Sequence, residues 1–189
     1  MRRTFETVLV EQCAPTLAGM KPASLFRGQS EAGQTLQQEL CRLQKELEPS
    51  GIKVRILKTC CQTGACMIYL YREEWLQRIL SEPSVCNFLA QRGYSLDEGC
   101  DGLLGQLSRR LCLEQDYPHE IGVFLGYPLE DVVGFIENQG RNFTCCGYWK
   151  VYGNPKEAQK RFDRYRRCTN LYKERFRSGT PISQLIVAA

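Results

Sequence analysis

Residues 117–152 constrain the fold most, because proline and glycine divide them into short elements of defined length. Two helices are predicted, over residues 118–126 and 128–140, and each begins at a proline and closes at a glycine. Proline suits the first helical turn, and glycine suits the position just past the last turn. The aromatic segment Cys146–Tyr152 that follows is typical of a strand. The block therefore predicts an αα-hairpin that leads into a β-strand.

Two functional interpretations of this block are excluded by its residues. Two short helices joined at a glycine resemble a DNA-binding helix-turn-helix, but the second helix has no Lys or Arg before Arg141. Its charged residues are Glu130, Asp131 and Glu137. Carboxylates on a recognition helix oppose the DNA phosphates. The sequence HEIGV resembles the start of a zinc-protease helix, but His119 is the only histidine of the chain, so the second histidine ligand is missing.

Hydrophobic periodicity predicts the other elements. Helices are expected over residues 5–13, 35–48, 73–80, 83–91, 96–111 and 155–177, with a last helical turn over 182–187 and a loop over 14–24. Capping boxes are expected at Thr35 with Gln38 and at Ser95 with Glu98. Residues 52–71 predict a β-hairpin of strands 52–58 and 65–71, which Cys146–Tyr152 could join. The expected fold is α+β: a mostly helical single domain over residues 1–189, with a small two- to three-stranded, largely antiparallel sheet.

The cysteine content indicates the compartment. The chain has 11 cysteines, an odd number that cannot pair completely within one chain. Residues 1–20 contain no apolar run typical of a secretory signal, and no stretch is long and apolar enough for a membrane span. We therefore expect a cytoplasmic protein with free thiols and no membrane association.

Several residues could carry catalytic or metal chemistry. His119 and Glu120 are candidates for acid–base catalysis, and a cysteine is a candidate nucleophile. Thiolates, together with His119, could bind zinc or iron, although no two cysteines have the CxxC spacing of common zinc sites. Whether the protein is an enzyme is left open, and a structural role of His119 at the start of a helix is favoured over a functional one.

Two basic features suggest anionic partners. Lys21 lies in the loop AGMKPAS, which could present backbone N–H groups to a phosphate but also fits a tight turn. The predicted helix over residues 155–177 is strongly basic and could bind nucleic acid, but an aromatic stripe on it fits a docked amphipathic helix better. A small ligand or a protein partner is therefore favoured over nucleic acid.

The segments HEIGVFLGYPLEDVVGFIENQG and CCGYWKVYG, with CAPTLAGMKPASLF upstream, resemble a bacterial family catalogued as a domain of unknown function. The resemblance covers most of the chain. The family pattern includes Lys21 and Lys150. Of the cysteines and the histidine that could bind a metal, the resemblance retains four as candidate ligands: Cys13, His119, Cys146 and Cys168.

These observations converge on one functional hypothesis: a binding or accessory protein whose pocket lies in the 117–152 block. Such pockets combine apolar walls with a few polar groups. The pocket is predicted around His119, Tyr127, Cys146, Tyr148 and Trp149. The expected ligand-binding residues are Lys21, Tyr127, Tyr148, Trp149 and Lys150.

Overall fold

A computed structural model describes residues 4–28, 35–113 and 116–188. The chain forms two compact units. The first unit comprises Met1–Trp75 with Arg167–Ala189, and the second comprises Leu76–Arg166. Helices dominate and the strands are antiparallel, which confirms the predicted α+β class. A single domain over residues 1–189 stays a prediction.

The first unit contains a three-stranded sheet with two helices. Along the chain come α1 (Phe5–Leu17), β1 (Ala23–Gly28), α2 (Leu36–Leu47), β2 (Ile52–Thr59) and β3 (Cys66–Arg72). The strand order is β1-β3-β2, and both pairings are antiparallel. The predicted hairpin of β2 and β3 is confirmed, and so is the capping box of α2, in which Thr35 and Gln38 exchange hydrogen bonds. Apolar residues of all five elements form the core of this unit.

The predicted loop over residues 14–24 is wrong. α1 continues through Pro15 to Leu17, because a proline so close to the helix end removes only one backbone hydrogen bond. Strand β1 then begins at Ala23, within the expected loop. The third strand of this sheet is therefore β1 and not Cys146–Tyr152.

The second unit is mostly helical. It contains α4 (Pro83–Gln91), α5 (Gly99–Leu113), α6 (Ile121–Phe124) and α7 (Leu129–Glu137), with the short strands β4 (Cys145–Cys146) and β5 (Lys150–Val151). Two helices pass from one unit into the other, α3 (Glu73–Leu80) and α8 (Pro155–Arg177). Gly126 and Gly140 have positive φ angles of 72° and 71°, which suits their places after α6 and α7. The predicted αα-hairpin is confirmed, with shorter helices.

Two predictions fail in the second unit. Cys146–Tyr152 is not one strand, because Gly147 N–H donates to Trp149 O at 3.0 Å and turns the chain back. β4 and β5 thus form a two-stranded sheet of their own. The capping box at Ser95 with Glu98 is absent, because the Gln106 amide bonds both backbone groups of Ser95 and α5 begins only at Gly99.

The basic helix α8 is amphipathic, as the sequence predicts. In its portion within the second unit, Phe162 and Tyr165 are buried, whereas Arg161 and Arg164 are exposed. The final turn is confirmed only as a short 3-10 helix, Ile182–Gln184. No helix within the described ranges has the length and apolar character of a membrane span.

Candidate ligand-binding site

A cavity of about 300 Å³ lies in the second unit, between the α6–α7 hairpin and the β4–β5 turn. Six residues expected at a site line it: His119, Tyr127, Cys146, Tyr148, Trp149 and Lys150. The rest of the wall is Ile121, Gly122, Asp131, Val132, Phe135 and Gly147. The structure thus brings together the residues of the predicted pocket.

Asp131 fixes the β4–β5 turn against α7. It is 3% exposed. Its Oδ2 accepts a hydrogen bond from Trp149 Nε1 at 2.6 Å, and its Oδ1 accepts from the backbone N–H groups of Tyr152 and Gly153 at 2.7 and 2.8 Å. A buried carboxylate is tolerated when several donors satisfy it. Asp131 therefore holds the pocket wall in place.

Stacked aromatic rings form one wall of the cavity. The ring centroids of Tyr127 and Trp149 are 4.9 Å apart at 27°, and Trp149 meets Phe162 edge-on at 4.6 Å. Tyr127 Oη donates to Tyr148 O at 3.2 Å. Burial raises the pKa of Tyr127 to about 12, so its phenol stays protonated and keeps this bond at neutral pH. The wall is consequently rigid and mostly apolar.

Lys150 brings positive charge to the cavity. Its Nζ donates to Gly140 O at 2.7 Å, and it lies 5.6 Å and 4.9 Å from the ring centroids of Phe135 and Phe143. His119 packs on Phe135, with the centroids 4.8 Å apart. A carbonyl and two π faces hold the ammonium in place. Since an ammonium has three donors and Gly140 O takes one, donor capacity is left for a ligand.

Glu120 has different surroundings from His119. It is 4% exposed, and its Oε1 accepts from Tyr94 Oη at 3.0 Å and lies 3.6 Å from Arg110 Nη1. Arg110 also stacks on the Tyr94 ring at 4.3 Å. Glu120 does not line the cavity. These contacts indicate that Glu120 forms a structural ion pair with Arg110. They do not support acid–base catalysis by His119 and Glu120.

The four candidate metal ligands fall into two sets. His119 and Cys146 line the cavity of the second unit, whereas Cys13 and Cys168 belong to the hydrophobic core of the first. Among the described residues, no group of three or more His, Cys, Asp or Glu side chains is arranged to hold a metal ion. All 11 cysteines are free thiols.

Lys21 is buried in the first unit and takes no part in the cavity of the second. It interacts electrostatically with Cys13, and Thr16 Oγ1 hydrogen-bonds Ser24 Oγ at 2.8 Å nearby in the chain. Its backbone N–H donates to Pro15 O at 3.1 Å. The segment is therefore the tight turn that the sequence allowed as an alternative to an anion-binding loop.

The burial of Lys21 predicts a pH dependence of stability. Burial lowers its pKa from 10.5 to about 8, so between these values the folded protein binds fewer protons here than the unfolded chain does. This contribution to the free energy of unfolding therefore rises with pH through that window. We expect the stability of Lys21→Met relative to the parent to fall by up to about 3 kcal/mol between pH 8 and 10.5.

Urea unfolding across this pH range measures the effect. Both proteins should carry Cys13→Ala, because burial raises the pKa of the Cys13 thiol from 9.0 to about 12 and that shift lowers stability above pH 9. A stability difference that stays constant with pH would contradict a buried, deprotonating amine.

Gly147 allows the β4–β5 turn to pack closely against α8. A Cβ at this position would overlap the ring of Phe162, which is 1% exposed and has no room to move. We expect Gly147→Ala to cost about 1–3 kcal/mol and to deform the cavity, as overpacking does. Thermal unfolding measures the loss. Gly64→Ala is a poor control because Gly64 has a positive φ angle. Ser178→Ala, at an exposed position just after α8, serves instead and should change stability little.

Sequence reasoning missed several residues of the site. Asp131, Phe135 and Gly122 were not expected to line a pocket. Asp131 lies in the first turn of α7, where acidic residues are common because of the helix dipole. Nothing in the local pattern distinguishes it from such a residue, since its partners are 18 to 22 positions away in the chain.

The fold and the site define an α+β protein with an aromatic-lined pocket that carries one lysine, one histidine and one thiol. The chain belongs to a family described as proteins of unknown function (DUF3793), whose model matches residues 9–186. Comparison with the curated proteins and with the solved structures gives no match.

Proposed function

We propose that this protein binds a small planar molecule that carries an acidic group, in the cavity between the α6–α7 hairpin and the β4–β5 turn. The observation that supports this most is the lining itself, in which stacked aromatic rings lie beside a positioned lysine. A volume of about 300 Å³ suits a ligand of one or two fused rings.

The aromatic wall favours a planar ligand. Tyr127, Tyr148 and Trp149 all line the cavity, and Tyr148 is 39% exposed. Flat π systems gain from offset stacking or edge contacts on such rings. Because Asp131 already fixes Trp149, little conformational entropy is lost on binding, which favours affinity.

The polar groups favour an acidic substituent. Lys150 supplies an ammonium, and His119 supplies a second nitrogen group at the same cavity. The one carboxylate of the lining, Asp131, already accepts three hydrogen bonds. A ligand carboxylate would therefore find its donor in Lys150, and such charge-assisted hydrogen bonds are the stronger kind.

Calorimetry with indole-3-acetate and its neutral amide tests this proposal. We expect tighter binding of the carboxylate by about tenfold, in keeping with one hydrogen bond between charged groups. Lys150→Met should abolish the preference. Lys156→Met, at an exposed position of α8 outside the cavity, should retain it. Equal binding of both probes, or a preference that survives Lys150→Met, would contradict the proposal.

A second candidate function is cysteine-based catalysis, since Cys146 and His119 line the same cavity. An imidazole near a thiol can act as its general base. Alkylation of Cys146 by iodoacetamide tests this, read by peptide mass spectrometry. At pH 7 we expect His119→Gln to slow the reaction about tenfold or more if the imidazole acts as a base. An unchanged rate would remove this candidate.

A further inference from the structure

A second cavity, of about 400 Å³, lies in the first unit beside the β2–β3 hairpin loop. Cys60, Thr63, Arg27, Lys58 and Met67 are part of its lining. Its lining residues differ from those of the cavity in the second unit. It is therefore independent of the ligand binding proposed for that cavity. It combines two thiols, the partly exposed Cys60 and the buried Cys66, with two cationic side chains, a combination that the sequence does not reveal.

Strand register places the two cations beside each other. Arg27 of β1 and Lys58 of β2 are both paired with Met67 of the central strand β3. The three residues thus form one row across the sheet, in which cross-strand neighbours lie on the same face. Arg27 and Lys58, at the two ends of this row, form a positively charged rim of the cavity.

The hairpin loop positions the Cys60 thiol at this rim. Two backbone bonds close the loop: Cys60 N–H donates to Ala65 O, and Gly64 N–H donates to Cys60 O, both at 2.8 Å. Hydrogen bonding from Thr63 and Gln62 of the loop, and in smaller measure the Arg27 charge, lowers the pKa of the Cys60 thiol.

We propose that Cys60 is a thiol–disulfide exchange site for low-molecular-weight disulfides that carry carboxylates. The Cys60 thiolate attacks one sulfur of the disulfide, so a protein–ligand S–S bond forms while the S–S bond of the reagent breaks. The second half leaves as a thiolate and takes up a proton from solvent. Arg27 and Lys58 bind the carboxylates, and Thr63 with the loop N–H groups stabilises the attacking sulfur.

Competing cysteines of the same chain provide internal controls. Cys41, Cys61, Cys112 and Cys146 are exposed, more so than Cys60. Exposure alone therefore predicts that these four react first. The proposed site predicts the reverse order for an anionic disulfide.

The experiment incubates the full chain with glutathione disulfide or, separately, with neutral bis(2-hydroxyethyl) disulfide, and measures initial rates at each cysteine by peptide mass spectrometry. We expect Cys60 to react fastest with glutathione disulfide. The double variant Arg27→Gln/Lys58→Gln should slow that reaction about fivefold or more, the effect of one close charge contact in water. It should slow the neutral reagent much less, because the Arg27 charge contributes only a small part of the lowered pKa of Cys60, and it should leave the rates at Cys41 unchanged.

A second variant, Thr63→Val, should slow Cys60 with both disulfides, because it removes a donor to the thiolate. The proposal is overturned if any exposed cysteine reacts faster than Cys60 with glutathione disulfide. It is also overturned if the double variant slows both reagents equally. Neither outcome bears on the binding of an acidic planar ligand in the cavity of the second unit, whose probes carry no disulfide.

Discussion

Replacing Asp131 with alanine is expected to lower the free energy of unfolding of the second unit by about 3–5 kcal/mol. The carboxylate accepts three hydrogen bonds in a buried position, so its removal leaves the Trp149 indole N–H and two backbone N–H groups without acceptors. Unsatisfied buried donors carry the full cost of desolvation. Trp149 should also lose its fixed orientation, and the cavity with it.

Urea unfolding in a Trp75→Phe background measures this effect, because Trp149 is then the remaining tryptophan of the two in the chain. Asp163→Ala is the matched control, since Asp163 is a partly exposed carboxylate that pairs with Arg166 on the surface of α8. We expect this control to change stability by less than about 0.5 kcal/mol. Equal effects of the two substitutions would show that the Asp131 bonds do not hold the turn.

The second large effect is expected at Arg72, at the end of β3. Its side chain is buried and donates to three backbone carbonyls: Nε to Thr16 O at 2.8 Å, and Nη2 to Leu17 O at 2.9 Å and to Val187 O at 2.7 Å. The first two are carbonyls of the last turn of α1, where Thr16 O also accepts from Gly19 N–H and Leu17 O also accepts from Val187 N–H. Arg72 therefore caps this helix and ties the C-terminal segment to it.

We expect Arg72→Met to cost the first unit about 2–4 kcal/mol, because three carbonyls each lose a hydrogen bond from the charged guanidinium. Arg72→Lys should cost nearly as much, since a single ammonium cannot reproduce the planar fork of a guanidinium. Hydrogen exchange of peptides from α1 measures the loss. Arg42→Met is the control, because this exposed arginine pairs with Glu6 on the surface. Protection of α1 that survives Arg72→Met would contradict the capping role.

The sequence predicted best the elements whose signals are local. Helix α2 has its capping box and its apolar stripe within one segment. In β2, apolar residues alternate with basic ones, which is typical of a strand with one face toward solvent. Strand β1 was missed because its assignment depends on pairing with residues of β3 that lie 38 to 48 positions away. The β4–β5 turn was missed because a bond between Gly147 and Trp149 interrupts an aromatic pattern that otherwise fits one strand.

The candidate site was predictable to a similar extent. Its aromatic, basic and thiol residues lie in one block of sequence, so composition alone grouped them. The role of Asp131 depends on a fold that returns β5 to α7, which no local pattern specifies. The candidate metal ligands were chosen by residue type, and residue type does not show where a side chain packs. Cys13 and Cys168 pack as small apolar side chains in the core of the first unit.

The most direct test of the binding proposal is nuclear magnetic resonance of the two tryptophan indole N–H groups during titration with indole-3-acetate. Trp149 lines the cavity, whereas Trp75 belongs to the first unit and acts as an internal reference. We predict a saturable shift of the Trp149 signal with no change at Trp75, and about tenfold weaker binding by the same signal in Lys150→Met. An unmoved Trp149 signal at millimolar probe, or equal shifts of both signals, would contradict the proposed function.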